Sequence, residues 1–156
     1  MCGIVGITSN KEVTARIINS LKKLEYRGYD SAGIATLKDG FINEVKREGR
    51  VEALEKSISK TNLQGEIGIG HVRWATHGKP STVNAHPHSS EKVSVVHNGI
   101  IENSTILKKI LEKKGYKFKS QTDTEVIAYL VTDYLKKNNL KNTIVKVLKK
   151  LHGSFA

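Results

Sequence analysis

The sequence is poor in cysteine, proline and tryptophan, with one Cys, two Pro and one Trp in 156 residues. A single thiol excludes an intrachain disulfide framework and a cysteine-rich zinc site. No apolar run approaches the ~20 residues that a membrane-spanning helix needs, and the N-terminus lacks the basic and apolar regions of a secretory signal. These absences predict a cytoplasmic protein with no membrane partner, and the length is too short for two ordinary domains.

Arginine is also scarce, although the chain is strongly basic. The formal net charge is +11, yet only five of the 26 basic residues are arginine. Arginine is the better reader of phosphates and base edges, so this composition weakens the case for a nucleic-acid-binding module. Many lysines fall on the solvated faces of predicted helices, and we expect a basic surface without a nucleic-acid partner.

Hydrophobic patterns predict strands mixed with helices. Apolar and β-branched runs predict strands over 3–8, 32–37, 41–46, 66–72 and 93–96. Helical spacing favours helices over 11–25, 52–60, 104–114, 124–137 and 142–151. Lys38-Asp39-Gly40 is typical of a hairpin turn, and Thr122 with Glu125 has the spacing of a capping box. This order favours an α+β fold, layered αββα, over a parallel doubly wound sheet.

The single cysteine stands at position 2, where it becomes the N-terminus if Met1 is removed. The thiol of Cys2 would then lie beside its own α-amine. An α-amine ordinarily has a pKa of roughly 7.7–8.0, so part of it is unprotonated at neutral pH and can accept the thiol proton. Position alone favours a small buried residue at the start of a strand.

Six blocks, in the same order, resemble the class II glutamine amidotransferases, which are N-terminal-nucleophile hydrolases. The residues within these blocks most resemble the glucosamine-6-phosphate synthase branch. The blocks are CGIVGI (2–7), LEYRGYDSAG (24–33), RWATHG (73–78), NAHPH (84–88), HNGIIEN (97–103) and TDTEV (122–126). The resemblance covers nearly the whole chain and implies an αββα N-terminal-nucleophile fold over residues 1–156.

The resemblance implies a catalytic set. Cys2 is the expected nucleophile, and the Asn98 amide with the Gly99 N–H is the expected oxyanion hole. Asn98-Gly99 is equally a strong hairpin signal when taken alone. The resemblance also places Arg27 near the N-terminal cysteine, as a supporting residue.

A second implied set binds glutamine. Arg73 can offer a fork to the α-carboxylate, and Asp123 can pair with the α-ammonium. Alternatively, Arg73 ends a strand and Asp123 is a helix N-terminal carboxylate. Thr76 and His77 belong to a loop that closes over glutamine, and Trp74 to the mouth of the site, unless Trp74 is a core anchor.

The resemblance implies glutamine hydrolysis through a Cys2 thioester, with no cofactor and no metal. Five histidines between 71 and 97 are dense, but only His86-x-His88 has close spacing, and no cysteine pair or HExxH helix accompanies it. In the complete enzyme the ammonia would reach a sugar-isomerase domain that converts fructose 6-phosphate to glucosamine 6-phosphate, and a homo-oligomer is expected. We also expect the chain to be incomplete, because it ends where the family pattern enters another strand.

Three alternatives remain open at this point. The glutaminase could serve a different acceptor, the chain could be a catalytically silent fragment, or it could be a basic nucleic-acid-binding module. Glutamine-dependent release of glutamate separates the glutaminases from the other two.

Overall fold

A computed structural model describes residues 2–75 and 78–156, which form an α+β fold. The strands are β1 (Gly3–Thr8), β2 (Ser31–Lys38), β3 (Phe41–Glu48), β4 (Ile67–Arg73), β5 (His88–Ser89), β6 (Ser94–Val95), β7 (Gly99–Ile101) and β8 (Gly153–Phe155). The helices are α1 (Thr14–Leu24), α2 (Val51–Thr61), α3 (Ser104–Lys113), α4 (Glu125–Leu135) and α5 (Leu140–Leu148), and a short 3-10 helix covers Glu25–Arg27.

The main sheet is antiparallel with the strand order β1-β4-β2-β3. Strands β2 and β3 form the predicted hairpin, with Lys38 opposite Phe41. Asp39 and Gly40 have φ values of 52° and 82°, as a tight hairpin turn requires. Strand β4 lies between β1 and β2, and its side chains alternate between the two faces of the sheet.

Helix α1 packs on one face of this sheet because β4 has glycines on that face. A Cβ at Gly70 would lie 2.5 Å from Cγ2 of Ile17, and one at Gly68 would lie 2.6 Å from Cδ1 of the same side chain. Ile17 and Leu21 are fully buried there, in a core that helix α2 completes through Leu54. The glycines therefore let an amphipathic helix approach the sheet closely, and burial of its apolar stripe stabilises the pair.

The opposite face of the sheet is covered by a second layer of two short ladders, β5–β6 and β7–β8. The segment before β5 lies directly on the sheet, since a Cβ at Gly33 would lie 2.1 Å from the main-chain oxygen of His86. Helices α3, α4 and α5 pack outside this layer around a separate apolar core. The order of layers is thus helix, sheet, sheet, helix, as predicted, and no helix of the described residues is long and apolar enough to cross a membrane.

The predicted capping box at the start of α4 is wrong. Thr122 Oγ1 instead bonds His88 Nε2 at 2.9 Å. The carboxylate of Glu125 accepts from the N–H groups of Ser120 and Lys119. Helix α4 begins at Glu125 with Thr124 at its N-cap, and Thr124 makes no side-chain capping bond. A tertiary contact with the second layer therefore replaces the local bond that the spacing indicates.

Candidate active site

Cys2 lies at the edge of the main sheet because the β1–β4 register pairs Gly3 with Val72. That pairing brings the half-buried Cys2 beside the end of β4. Its Sγ accepts a hydrogen bond from the Trp74 N–H at 3.2 Å and lies 3.6 Å from the Trp74 main-chain oxygen. The Trp74 backbone therefore holds the thiol in place, and its N–H favours a negative charge on sulfur.

Cys2 opens onto a cleft of about 670 Å³. Segments far apart in the sequence line it, and they include Cys2, Arg73, Trp74, Asn98, Gly99 and Asp123. Six of the eight residues expected at the site thus share one cavity. The other two, Thr76 and His77, lie outside the described residues, as does Met1.

The side chain of Asn98 is tied to the N-terminal residue. Its Nδ2 donates to the main-chain oxygen of Cys2 at 3.2 Å. Its Oδ1 lies 2.9 Å from Nε2 of His71. An amide nitrogen carries two hydrogens, so Nδ2 keeps a second donor beyond the one directed at Cys2.

Gly99 opens strand β7 and does not form the hairpin turn that Asn98-Gly99 could indicate. It pairs with Phe155 of β8, more than 50 residues later. Its φ is +131°, and a Cβ there would lie 2.1 Å from the Ser154 main-chain oxygen. Only glycine fits this position.

The β7–β8 register also determines where the Gly99 N–H points. Asn98 and Ala156 exchange both main-chain hydrogen bonds, at 2.9 and 2.8 Å. The next pair in an antiparallel ladder is a non-hydrogen-bonded one, so the Gly99 N–H points away from β8. The Ile101 N–H points to the same edge and donates to Asp123 Oδ2 at 2.7 Å. The Gly99 donor therefore faces the side of β7 on which Asp123 lies.

Arg73 is the last residue of β4 and is 4% exposed. Its guanidinium donates to the main-chain oxygens of Gly78 at 3.3 Å and Lys79 at 3.5 Å. Burial lowers the pKa of Arg73, while the charges of Cys2, Asp30 and Asp123 oppose that change. An arginine guanidinium is not deprotonated in proteins, so Arg73 is a cation in the cleft that contains the thiol.

Asp123 precedes helix α4 and is not part of its first turn. One carboxylate oxygen is used in fixing the edge of β7 through Ile101. A carboxylate has about four lone-pair sites, so Asp123 retains acceptors for a cation in the cleft.

Trp74 is not a core anchor, since it is 43% exposed. Its ring makes an edge contact with Tyr29 at a centroid distance of 5.5 Å. The next amide, of Ala75, donates to Asp30 Oδ2 at 2.8 Å, and the Asp30 N–H donates to the Arg73 oxygen at 3.1 Å. Asp30, which sequence reasoning did not single out, therefore fixes the chain that leaves β4.

Two further residues support the N-terminal cysteine. Arg27 Nε donates to the main-chain oxygen of Cys2 at 3.3 Å, which agrees with the expected proximity. His71, which the sequence indicates only as a potential metal ligand, contacts Asn98, and Asn98 in turn bonds the Cys2 main-chain oxygen. The signal that could have found His71 is the alternation of β4, which places it on the same face as Arg73 and opposite the glycines that contact α1.

Four histidines of the second layer and the sheet beneath it are buried: His71, His86, His88 and His97. Burial lowers the pKa of His71 to about 4, although its bonds to Asn98 and the His97 oxygen act in the opposite direction. Burial likewise lowers the pKa of His88 to about 3 and that of His97, the latter against the charge of Asp123. Burial also lowers the pKa of His86. All four rings are therefore neutral at pH 7, and in residues 2–75 and 78–156 no three His, Cys, Asp or Glu side chains are grouped to hold a metal ion.

Comparison with known sequences identifies one family and a set of relatives. The family profile described as a glutamine amidotransferase domain matches residues 71–156. The glutamine–fructose-6-phosphate aminotransferase (isomerizing) of Clostridium acetobutylicum is 54% identical over the whole chain, and that of Bradyrhizobium diazoefficiens is 52% identical. The chain spans 26% of the length of each relative.

Solved structures show the same fold. The glutamine phosphoribosylpyrophosphate amidotransferase of B. subtilis, complexed with ADP and GMP, has a TM-score of 0.82 and 29% identity over the whole chain. A structure described as the allosteric regulatory enzyme of purine biosynthesis has a TM-score of 0.82 and 30% identity. The chain covers 34% of each. The predicted N-terminal-nucleophile amidotransferase fold is thereby confirmed.

Proposed function

The chain belongs to the glutamine amidotransferase domain family, and we propose that it hydrolyses the side-chain amide of glutamine through a thioester on Cys2. One observation carries the proposal: the Cys2 thiol shares a cleft with the Asn98 amide and Gly99, whose N–H is not used by β8. A nucleophile facing two fixed donors is the arrangement that acyl transfer requires.

The first step forms the thioester. Removal of Met1 leaves the α-amine of Cys2 free, and this amine accepts the thiol proton. The Sγ–carbon bond forms as the amide oxygen takes up the negative charge, which the Asn98 and Gly99 N–H groups stabilise. Collapse breaks the carbon–nitrogen bond, and the proton from the α-ammonium goes to the departing nitrogen, which leaves as ammonia.

The second step releases glutamate. Water loses a proton to the same α-amine and attacks the thioester carbon, and the same two donors stabilise the new oxyanion. The sulfur leaves and regains its proton, which restores the thiol. Neither a cofactor nor a metal enters the balance of these steps.

Recognition of glutamine relies on its two backbone charges. Arg73 is buried beside the thiol and has the planar fork that binds a carboxylate at two points. Asp123 lies across the cleft at the edge of β7 and suits the α-ammonium. We assign closure over the bound amino acid to Thr76 and His77 and the mouth of the site to Trp74, as the sequence resemblance implies.

The names of the relatives support a proposal for the acceptor of the ammonia. Their name couples glutamine to fructose 6-phosphate, and they are about four times as long as this chain. We assign residues 1–156 to the glutaminase part of such an enzyme. A sugar-isomerase domain would be its partner, a homo-oligomer its assembled form and the cytoplasm its location.

The test is release of glutamate and ammonia from glutamine by the protein that carries this chain. Equal amounts of the two products are expected, and Cys2→Ala should abolish both while leaving the far-UV circular dichroism unchanged. Glutamine turnover that survives in Cys2→Ala overturns the thioester mechanism. A folded protein without glutamine turnover, which binds DNA or RNA instead, would favour the basic binding module.

A further inference from the structure

A fully buried imidazole lies behind the Asn98 amide. His71 is in the middle of β4, and its ring is 4.2 Å from that of His86, centroid to centroid. Its Nε2 lies 2.9 Å from Asn98 Oδ1 and 3.2 Å from the His97 main-chain oxygen. His71 is 0% exposed, so it cannot touch a substrate in the cleft.

The two contacts of Nε2 determine which ring nitrogen carries the hydrogen. The His97 oxygen is a carbonyl and can only accept. The Asn98 atom is also an acceptor, because the opposite amide orientation would set Oδ1 against the Cys2 carbonyl oxygen in place of the donor Nδ2. Nε2 of His71 must therefore be the protonated nitrogen. Its Nδ1 is buried without a hydrogen-bond partner in the described part of the chain.

Because the ring of His71 is neutral, it carries a single hydrogen, and that hydrogen is on Nε2. Burial lowers the pKa of His71 to about 4, more than its two hydrogen bonds raise it. The ring therefore carries one hydrogen at neutral pH, and that hydrogen is directed at Asn98 and His97. A neutral ring also adds no positive charge behind the cleft that contains Arg73.

We propose that His71 is a positioning residue, whose Nε2–H holds Asn98 Oδ1 so that Nδ2 faces Cys2 and the developing oxyanion. The inference rests on the proposed function, since it assigns to His71 the orientation of one of the two oxyanion donors. Without the Nε2–H, Asn98 Oδ1 loses its donor, and only the bond from Nδ2 to the Cys2 main-chain oxygen still holds the amide in this orientation. A rotated amide would present an acceptor where the oxyanion forms.

Substitution of His71 by glutamine or by asparagine distinguishes hydrogen-bond donation to Asn98 from a role in packing alone. Gln at position 71 can place its Nε2 where the imidazole Nε2 lies, whereas Asn is shorter and reaches only the region of Nδ1. The side chains differ by one methylene and are otherwise chemically alike. We expect His71→Asn to lower kcat of glutamine hydrolysis about 10- to 100-fold with KM changed less than about threefold, as part of the effect of losing an oxyanion donor. His71→Gln should recover most of that loss.

Asn98→Ala, measured in the same assay, distinguishes the oxyanion role of Asn98 from the positioning role of His71. If Asn98→Ala lowers kcat while both His71 variants keep the wild-type kcat, the positioning inference fails and the proposed function stands. If Asn98→Ala itself keeps the wild-type kcat, the oxyanion role of Asn98 fails and the inference fails with it. Equal losses in His71→Gln and His71→Asn would also overturn the inference, because packing alone would then explain them.

Imidazole ¹⁵N NMR of the unsubstituted protein tests the tautomer without any variant. The inference requires His71 to carry its hydrogen on Nε2 at pH 7, both in the free protein and with glutamine bound in the cleft. An Nδ1–H tautomer, or a doubly protonated ring at pH 7, would overturn the inference even if every variant failed to fold.

Discussion

The side-chain amide of Asn98 donates a hydrogen bond to the main-chain oxygen of Cys2 at 3.2 Å, across 96 positions of sequence. The bond links the start of β1 to the segment that leads into β7. It fixes the proposed oxyanion donor relative to the residue that carries the nucleophile. A misplacement of about 1 Å can cost on the order of 10²-fold in rate, so this bond supports the proposed role of the donor.

Replacing Asn98 should impair chemistry more than binding. Asn98→Ala removes one donor that acts on the charge of the transition state, so we expect kcat to fall by about 10²–10³ with KM little changed. Steady-state glutamate release measures both constants. Asn43→Ala is the matched control, because Asn43 is exposed on β3, outside the cleft. A rise in KM alone would contradict an oxyanion role.

Gly99→Ala should destabilise the β7–β8 pair and abolish turnover. The new methyl group would lie 2.1 Å from the Ser154 oxygen, and the φ of +131° is itself unfavourable for alanine. Gly40→Ala separates the two causes, since Gly40 also has positive φ, +82°, but has nothing within 4 Å of the new carbon. We expect a loss of about 1 kcal/mol in unfolding free energy at Gly40 and a larger loss at Gly99, by urea denaturation. Equal losses would show that the close approach of β8 is unimportant.

Arg73→Lys and Asp123→Asn should each weaken glutamine binding. Lysine supplies a point charge in place of a planar fork, and asparagine removes the negative charge opposite the substrate ammonium. A lost hydrogen bond to a charged group is worth about 1.5–3 kcal/mol, so KM should rise roughly 10- to 100-fold. Arg47→Lys is the control, because the Arg47 side chain is directed to the Lys46 oxygen on the exposed strand β3. An unchanged KM in both variants would contradict glutamine binding by Arg73 and Asp123 and would leave them structural roles only.

Acid should destabilise the fold through the buried histidines. In the unfolded chain these groups bind protons near their ordinary pKa of about 6.5, whereas His71 does so only near 4 and His88 near 3 in the fold. The unfolded state therefore binds more protons between these values, and the unfolding free energy falls as pH decreases from about 6.5. The contribution of His71 alone is about 3 kcal/mol once pH is below its folded-state pKa. Urea denaturation from pH 7.5 to 4 measures the decrease, which His71→Gln should reduce; a flat profile would contradict it.

The elements that depend on neighbours in sequence could be predicted. Strand β1 was predicted to the residue, and the β2–β3 hairpin with its turn at Asp39 and Gly40 follows from local turn chemistry. Helices α1 to α5 were found within a few residues at their ends because each has an amphipathic stripe. The turn residues and the periodicity are local properties, so no tertiary information was needed.

The contacts of the site could not be predicted, because they join segments far apart. Asn98-Gly99 fitted a hairpin and an oxyanion hole equally well, and only the pairing of Gly99 with Phe155 decides against the hairpin. The spacing of Thr122 and Glu125 predicts a capping box, whereas the side chain of Thr122 bonds His88, 34 residues earlier. The alternation of β4 indicates that His71 shares a face with Arg73, but its contact with Asn98, 27 residues later, depends on the tertiary fold.

Covalent labelling tests the central claim most directly. A diazoketone analogue of glutamine places its ketone carbon where the amide carbon would lie. Its diazo carbon replaces the amide nitrogen, and once protonated it alkylates the nucleophile with loss of N₂. Intact mass and peptide mapping should show one adduct per chain, on a Cys2 that has lost Met1, with excess glutamine slowing its formation and Cys2→Ala remaining unlabelled. A label on any other residue, or rapid labelling of a chain that retains Met1, would contradict the assignment of Cys2 as an N-terminal nucleophile.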